Sequence, residues 1–240
     1  MSALPTLSVP TYEVALPSTG KKIKYRPILV KEEKLLLLAT ESEDEKEVED
    51  AVKSILKACI QTRGVKVENL ASFDLEYLFL KIRGASAGED IKMRVTCQDD
   101  NETVVDVEIN IDDVEVFKPE GHDNKIMIQE DVGIVMKYPG VDQFINITLL
   151  NKDLNSTTEV FELVAKCVDQ IFQGEEVWEA SDMKLPEIID FLEGMTQVQF
   201  EKIQTFFETM PVLRHELQVT NPNTNKVSVF TLEGLQSFFG

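Results

Sequence analysis

Three stretches of this chain alternate polar and apolar residues on either side of a polar turn, and this pattern constrains the fold more than any other feature. A period of two is typical of half-buried strands, and a short polar turn joins two such strands in an antiparallel hairpin. The sequence therefore predicts three β-hairpins. They cover residues 11–28, 91–109 and 212–231.

Between the hairpins, apolar residues recur at helical spacing, which predicts amphipathic helices. The predicted helices of the first half cover residues 30–39, 48–59 and 73–83. The second half is predicted to begin with two short strands at 125–128 and 133–138. Helices are then predicted at 157–173 (closed by Gly174), 185–193 and 196–210.

The order of these elements selects a fold class. Strands do not alternate regularly with helices, which argues against a doubly wound parallel sheet. We expect an α+β protein of antiparallel β-hairpins with segregated amphipathic helices. Residues 117–124 resemble a connector, so one division is a hairpin–helices–hairpin unit at 1–118 followed by strands, helices and a terminal hairpin at 119–240. A single continuous domain is the alternative.

The charge balance argues against two classes of partner. The 240 residues include 43 acidic and 24 basic side chains, giving a formal net charge of −19. Such a field repels phosphate backbones and anionic lipid surfaces. The longest apolar run, Leu35 to Ala39, is far below the roughly 20 residues that span a bilayer. We therefore expect neither nucleic-acid binding nor a membrane span.

The cysteines and the N-terminus point to a reducing compartment. Cys59, Cys97 and Cys167 are odd in number and widely spaced, unlike a disulfide framework. Residues 1–10 lack the basic region and the apolar run of a secretory signal. We expect the protein in the cytoplasm when it is made.

The residues that usually carry catalysis are sparse. The chain has two histidines: His122 is expected to be a solvated loop residue, and His215 a surface or half-buried strand residue. No nucleophile elbow, phosphate-binding loop or local zinc site is present in the sequence. We therefore predict no enzyme activity, metal, cofactor or small-molecule substrate. Abundant carboxylates keep open the alternative of a hydrolase or metal-dependent enzyme.

Three blocks of the sequence resemble a known family. They are Leu16–Gly20 with Tyr25–Ala39, then Leu80–Glu89 with the hairpin containing Cys97, and finally Phe230–Phe239. In this order they are similar to the blocks of the baseplate hub protein family of T4-like contractile-tailed bacteriophages. Together they extend over nearly the whole chain.

This chain departs from the family pattern at two hairpin turns. Some relatives carry Cys-x-x-Cys pairs there, which suggest zinc-ribbon-like knuckles. This chain has Cys97-Gln-Asp-Asp100 at the first turn and Asn221-Pro-Asn-Thr224 at the second. We expect the hairpins to persist without the metal, because polar turn residues hold such turns by themselves.

The resemblance implies a non-enzymatic structural or assembly component of a phage baseplate hub. Its implied partners are other baseplate hub and central tail proteins. Its implied location is the host cytoplasm during assembly and then the virion tail baseplate. The alternative is an assembly chaperone for a tail or hub protein that is absent from the mature virion, with the acidic stretch 41–50 shielding a basic client.

Two segments are expected to contact the partners: the stretch from Tyr25 to Val30 with the helix that follows it, and the aromatic C-terminal tail. The alternative for both is packing in the core, where apolar residues at element ends usually lie. The candidate partner-binding residues are Tyr25, Arg26, Pro27, Val30, Phe238 and Phe239.

Overall fold

The computed structural model describes residues 7–42, 44–149 and 156–238 of the chain. Over these residues the protein is of mixed α+β class, with seven helices and eleven strands. Every strand pair in the described part is antiparallel, which confirms the predicted class.

The helices begin close to the predicted positions. Asp44 and Ser156 cap two of them with side-chain oxygens, and Thr196 forms a capping box with Gln199. The fourth, very short helix continues as a π-helix over Phe144–Leu149. The helices are α1 (Val30–Glu41), α2 (Glu45–Cys59), α3 (Ser72–Ala87), α4 (Val141–Gln143), α5 (Thr157–Lys166), α6 (Leu185–Glu193) and α7 (Gln197–Glu208).

The strands are short and their register follows the alternation in the sequence. In the second hairpin, for example, Ile91 lies opposite Ile109 and both are buried. The strands are β1 (Tyr12–Ala15), β2 (Lys22–Tyr25), β3 (Asp90–Thr96), β4 (Val104–Asn110), β5 (Glu115–Phe117), β6 (Lys125–Met127), β7 (Val132–Met136), β8 (Val168–Gln173), β9 (Glu176–Glu179), β10 (Val212–Thr220) and β11 (Val227–Glu233).

The described strands form four sheets. The pairs β1–β2 and β3–β4 are separate hairpins, and β10–β11 is the third predicted hairpin. The last hairpin extends to a three-stranded sheet in the order β11-β10-β5, and the remaining strands form a sheet in the order β6-β7-β8-β9. All three predicted hairpins are confirmed.

The prediction of one helix over 157–173 is wrong. Helix α5 ends at Lys166, and residues 168–173 form β8, an inner strand between β7 and β9. Val168 and Ile171 share the helical face of α5 in the sequence, but β-branched residues also suit a buried strand. Gly174, with φ +58°, makes the turn from β8 into β9 instead of closing a helix.

Buried apolar side chains gather in two clusters. The first includes Leu56, Leu75 and Leu78 of α2 and α3, together with Leu213 and Phe238 from the C-terminal hairpin region. The second lies between α5, α6 and α7 and the four-stranded sheet. The pairing of Leu213 with Val116 joins the two sides of the predicted division at residues 118/119. That division stays a prediction.

No helix in the described part of the chain is long and apolar enough to cross a membrane.

Candidate interaction surface

Arg26 lies at the entrance to α1, where it supports the start of the helix. Its guanidinium Nη2 contacts Glu32 Oε1 at 2.9 Å, and Nη1 donates to the Pro27 carbonyl at 2.8 Å. Glu32 Oε2 in turn accepts the Leu29 N–H at 2.8 Å, as in a helix cap. Both charged side chains are almost fully covered, with 12% and 7% of their surfaces exposed. The pair therefore fixes the geometry of the first turn of α1.

The electrostatics of this pair favour its ionised form. Burial opposes ionisation of Glu32, but the hydrogen bonds from Arg26 and from the Leu29 N–H outweigh it. The net result is that the pKa of Glu32 lies below its ordinary value.

Three of the six candidate partner-binding residues are buried, which is the alternative of packing in the core. Tyr25 and Phe238 belong to the first cluster, with 6% and 1% of their surfaces exposed, and Pro27 is buried as well. Burial raises the pKa of Tyr25 to about 12, and its ring stacks on Tyr12 at 5.6 Å. These side chains are held in the fold because each carries a large apolar surface at the end of an element. Phe239 lies outside the described residues.

Val30 is the candidate that the structure leaves open to solvent, with 81% of its surface exposed. Leu35, Leu37 and Leu38 of the same helix are 41%, 57% and 53% exposed, whereas Leu36 packs against the first cluster. Val30, Leu35, Leu37 and Leu38 form the α1 apolar face. The helix as a whole was a predicted contact element, and four successive leucines at 100° per residue cannot all point to one core.

Charged side chains of both signs lie near the α1 apolar face. Glu33 and Glu41 of α1 are exposed, as are Asp44 and Glu47 at the start of α2, which packs on α1. Lys31, Lys34 and Lys46 are exposed on the same two elements, and the Lys31 ammonium contacts Glu32 at 3.4 Å. The local charges favour neither sign of partner, and it is the net charge of −19 of the whole chain that favours a basic partner surface.

The two histidines differ in how well the sequence predicted them. His122 is half-buried instead of solvated: Nδ1 lies 2.9 Å from Thr209 Oγ1, and Nε2 lies 3.0 Å from Tyr138 Oη. Its ring also packs on Phe206, and burial lowers its pKa. His215 is half-buried in β10, as one of the two expectations had it.

The largest described cavity and the acidic clusters of the described residues show neither a ligand preference nor a metal site. A surface cavity of about 710 Å³ is lined by Lys137 and Lys166 but also by Asp142 and Asp169, so it selects neither sign of ligand. Among the residues that the structure describes, no group of three His, Cys, Asp or Glu side chains is placed to hold a metal ion.

Comparison with known proteins identifies the class to which this fold and surface belong. The family described as T4 bacteriophage base plate protein matches residues 9–240, nearly the whole chain. The protein therefore belongs to the T4 bacteriophage base plate protein family. No curated protein and no solved structure matches it significantly. Family membership implies a location in the tail baseplate and partners among baseplate proteins.

Proposed function

We propose that this protein is a non-enzymatic structural component of the baseplate hub, and that it acts through contacts with other hub and central tail proteins. The observation that carries the proposal is the family match over residues 9–240. The scarcity of catalytic motifs in the sequence supports a role in binding over one in chemistry.

The α1 apolar face supports a specific mode of contact. Its four side chains present apolar area on a helix whose N-terminus is fixed by the Arg26–Glu32 pair. A fixed helix binds with less loss of conformational freedom than a mobile loop. The partner surface that fits is an apolar contact on a basic protein, because the whole chain carries a net charge of −19.

Deletion of the gene from the phage tests the proposed role. A baseplate component is needed to complete the tail. Electron micrographs of the deletion lysate should therefore show free heads but no tails with finished baseplates. Wild-type protein supplied in trans should restore them. Normal tails in its absence would contradict the proposal.

An assembly chaperone for a tail or hub protein is the second candidate. The acidic residues of the 41–50 stretch, such as Glu47 and Asp50, are exposed beside the α1 apolar face and could cover a basic client. A tagged copy of the chain distinguishes the two roles. A structural component stays bound when hub intermediates join the rest of the baseplate, whereas a chaperone is recovered with its client alone.

A further inference from the structure

Two distant turns of the chain have the same backbone conformation. The first joins β3 to β4 and begins at Cys97, and the second joins β10 to β11 and begins at Asn221. In each, the carbonyl of the first residue accepts the N–H of the residue four positions later, at 2.9 Å from Asn101 and 2.8 Å from Asn225. Asn101 and Asn225 both have a left-handed backbone, with φ 55° and 59°.

The side chains of these turns meet. The Asn221 amide nitrogen donates to Asp99 Oδ1 at 2.8 Å and to Asp100 Oδ2 at 2.9 Å, and the Thr224 hydroxyl donates to Asp99 Oδ2. Asn221 is 1% exposed, so its amide group is shielded from water, whereas Thr224 is exposed and Asp99 and Asp100 are half-buried. Its side-chain oxygen accepts the Asn223 N–H at 2.8 Å. We call Asp99, Asp100, Asn221 and Thr224 the turn clasp.

The residues of the two turns do not fit the zinc knuckles that the family resemblance suggests. A zinc site uses about four nitrogen or sulfur donors, and here only Cys97 offers one. Both Asp100 oxygens already accept hydrogen bonds, Oδ1 from the backbone N–H groups of Glu102 and Thr103 and Oδ2 from Asn221. Asn221 and Thr224 turn donor hydrogens toward the carboxylates, the reverse of metal ligation.

We infer that the turn clasp replaces a metal ion: the amide group of Asn221 lies between two carboxylates, where a cation would neutralise them, and joins the two hairpins by direct hydrogen bonds. The bonds connect Asp99 and Asp100 of the middle hairpin to residues more than a hundred positions later. The C-terminal hairpin is therefore held against the middle hairpin without a bound metal.

The ionisation of the two carboxylates is consistent with this arrangement. The hydrogen bonds from Thr224 and Asn221 hold the pKa of Asp99 below its ordinary value. Hydrogen bonds from Thr103, and then from Asn221, hold that of Asp100 well below it. Burial, together with the neighbouring carboxylates, raises the pKa of the Cys97 thiol.

The substitution Asn221→Asp tests the clasp, because it keeps the shape and replaces the donor nitrogen by an acceptor oxygen. Three carboxylates would then face each other, and we expect the Tm to fall by about 5–10 °C. The control is Asn225→Asp, the same change in the same turn at an exposed side chain outside the clasp. We expect it to lower the Tm by less than about 2 °C.

The milder variant Thr224→Val keeps the proposal testable if Asn221→Asp does not fold. It removes one hydrogen bond to a carboxylate, and we expect the Tm to fall by about 3–6 °C. A Tm equal to that of the wild type would contradict the clasp, as would equal losses for the Asp variants at positions 221 and 225.

A chelator tests the metal-free part of the inference on the wild-type protein. Dialysis against EDTA should leave the Tm unchanged, and elemental analysis of the protein as purified should show no stoichiometric zinc. Stoichiometric zinc together with a Tm that falls after EDTA treatment would overturn the inference.

Discussion

At the residue scale, Arg26 shows how a candidate contact residue can instead be a structural one. It was expected to bind a partner, but its guanidinium is directed inward at Glu32 and at the Pro27 carbonyl. Removing one partner of a covered ion pair leaves the other charge buried and unpaired, which costs more free energy than the pair itself contributes.

The substitution Arg26→Met should therefore destabilise the fold. We expect the free energy of unfolding to fall by about 3 kcal/mol, because Glu32 would keep its burial and lose its covered cation, with only the exposed Lys31 left beside it. Urea denaturation measures this loss. The matched control is Lys31→Met: Lys31 contacts the same Glu32 oxygen at 3.4 Å but is 73% exposed. We expect a change below about 1 kcal/mol for the control, and equal losses in both variants would contradict the structural role of Arg26.

His122 should make stability depend on pH. Burial lowers its pKa in the folded state below the value of about 6.5 for an unfolded chain, so the unfolded state binds a proton first as the pH falls. Its contribution to stability is complete above the unfolded pKa and is lost as the pH falls toward the folded one. The Tm should therefore decrease between about pH 7.5 and about pH 5.5.

Two variants isolate the contribution of this ring. In His122→Gln we expect the decrease in Tm to be smaller than in the wild type, because the group that titrates in this range has been removed. His215→Gln changes the other histidine of the chain and should retain the full decrease. The assignment to His122 would be wrong if the two variants behaved alike.

At the element scale, α1 has two opposite sides that differ in exposure. Glu32 and Ala39 are buried on the side that packs against the protein, whereas Val30 and Leu38 are exposed. A helix that leaves large apolar residues in water gives up stability that burial would have supplied. This arrangement is typical of a binding surface when the exposed residues cluster.

The double substitution Val30→Asp with Leu38→Asp tests that surface. Both side chains are exposed, so we expect the free energy of unfolding to change by less than about 1 kcal/mol. We also expect the variant to be lost from purified tails when it competes with a tagged wild-type chain during infection. Quantitative mass spectrometry of the tails measures the ratio of the two.

The control for this surface is Val198→Asp on α7, since Val198 is also exposed, at 68%. It should enter tails as well as the wild type does. Equal incorporation of the control and of the double variant would show that the α1 apolar face makes no contact in the assembled tail.

Among the elements, the sequence predicted those whose pattern has only one interpretation. The β3–β4 hairpin alternates around a polar turn, and the structure has it. Residues 157–173 carried a helical pattern throughout, yet β8 begins at Val168. Strand β8 forms because it pairs with β7, which is distant in the sequence. Local periodicity carries no information about such a pairing.

At the scale of the whole molecule, the candidate site was predicted only in part. Val30 is exposed as expected, but Tyr25 and Phe238 complete the first apolar cluster. Aromatic residues at the ends of elements have the same sequence pattern whether they face a partner or the core. Phe238 follows the C-terminal hairpin, whose strand β10 pairs with β5, whereas Tyr25 pairs with Tyr12 in the first hairpin.

The turn clasp is a second property of the whole chain. The similar offset of Asn101 and Asn225 from their preceding strands was visible in the sequence, but two unrelated hairpins would show it equally well. Their contact depends on the packing of hairpins that are more than a hundred residues apart. The hydrogen bonds between the two turns therefore form only when the chain folds.

The proposal that this protein is a built-in baseplate component is tested most directly by quantitative mass spectrometry of purified phage particles, with the infected-cell lysate measured beside them. We predict the chain in the particles at a fixed, low copy number relative to the major tail proteins. Abundance in the lysate with absence from the particles would contradict a structural role and would identify the chain as an assembly chaperone.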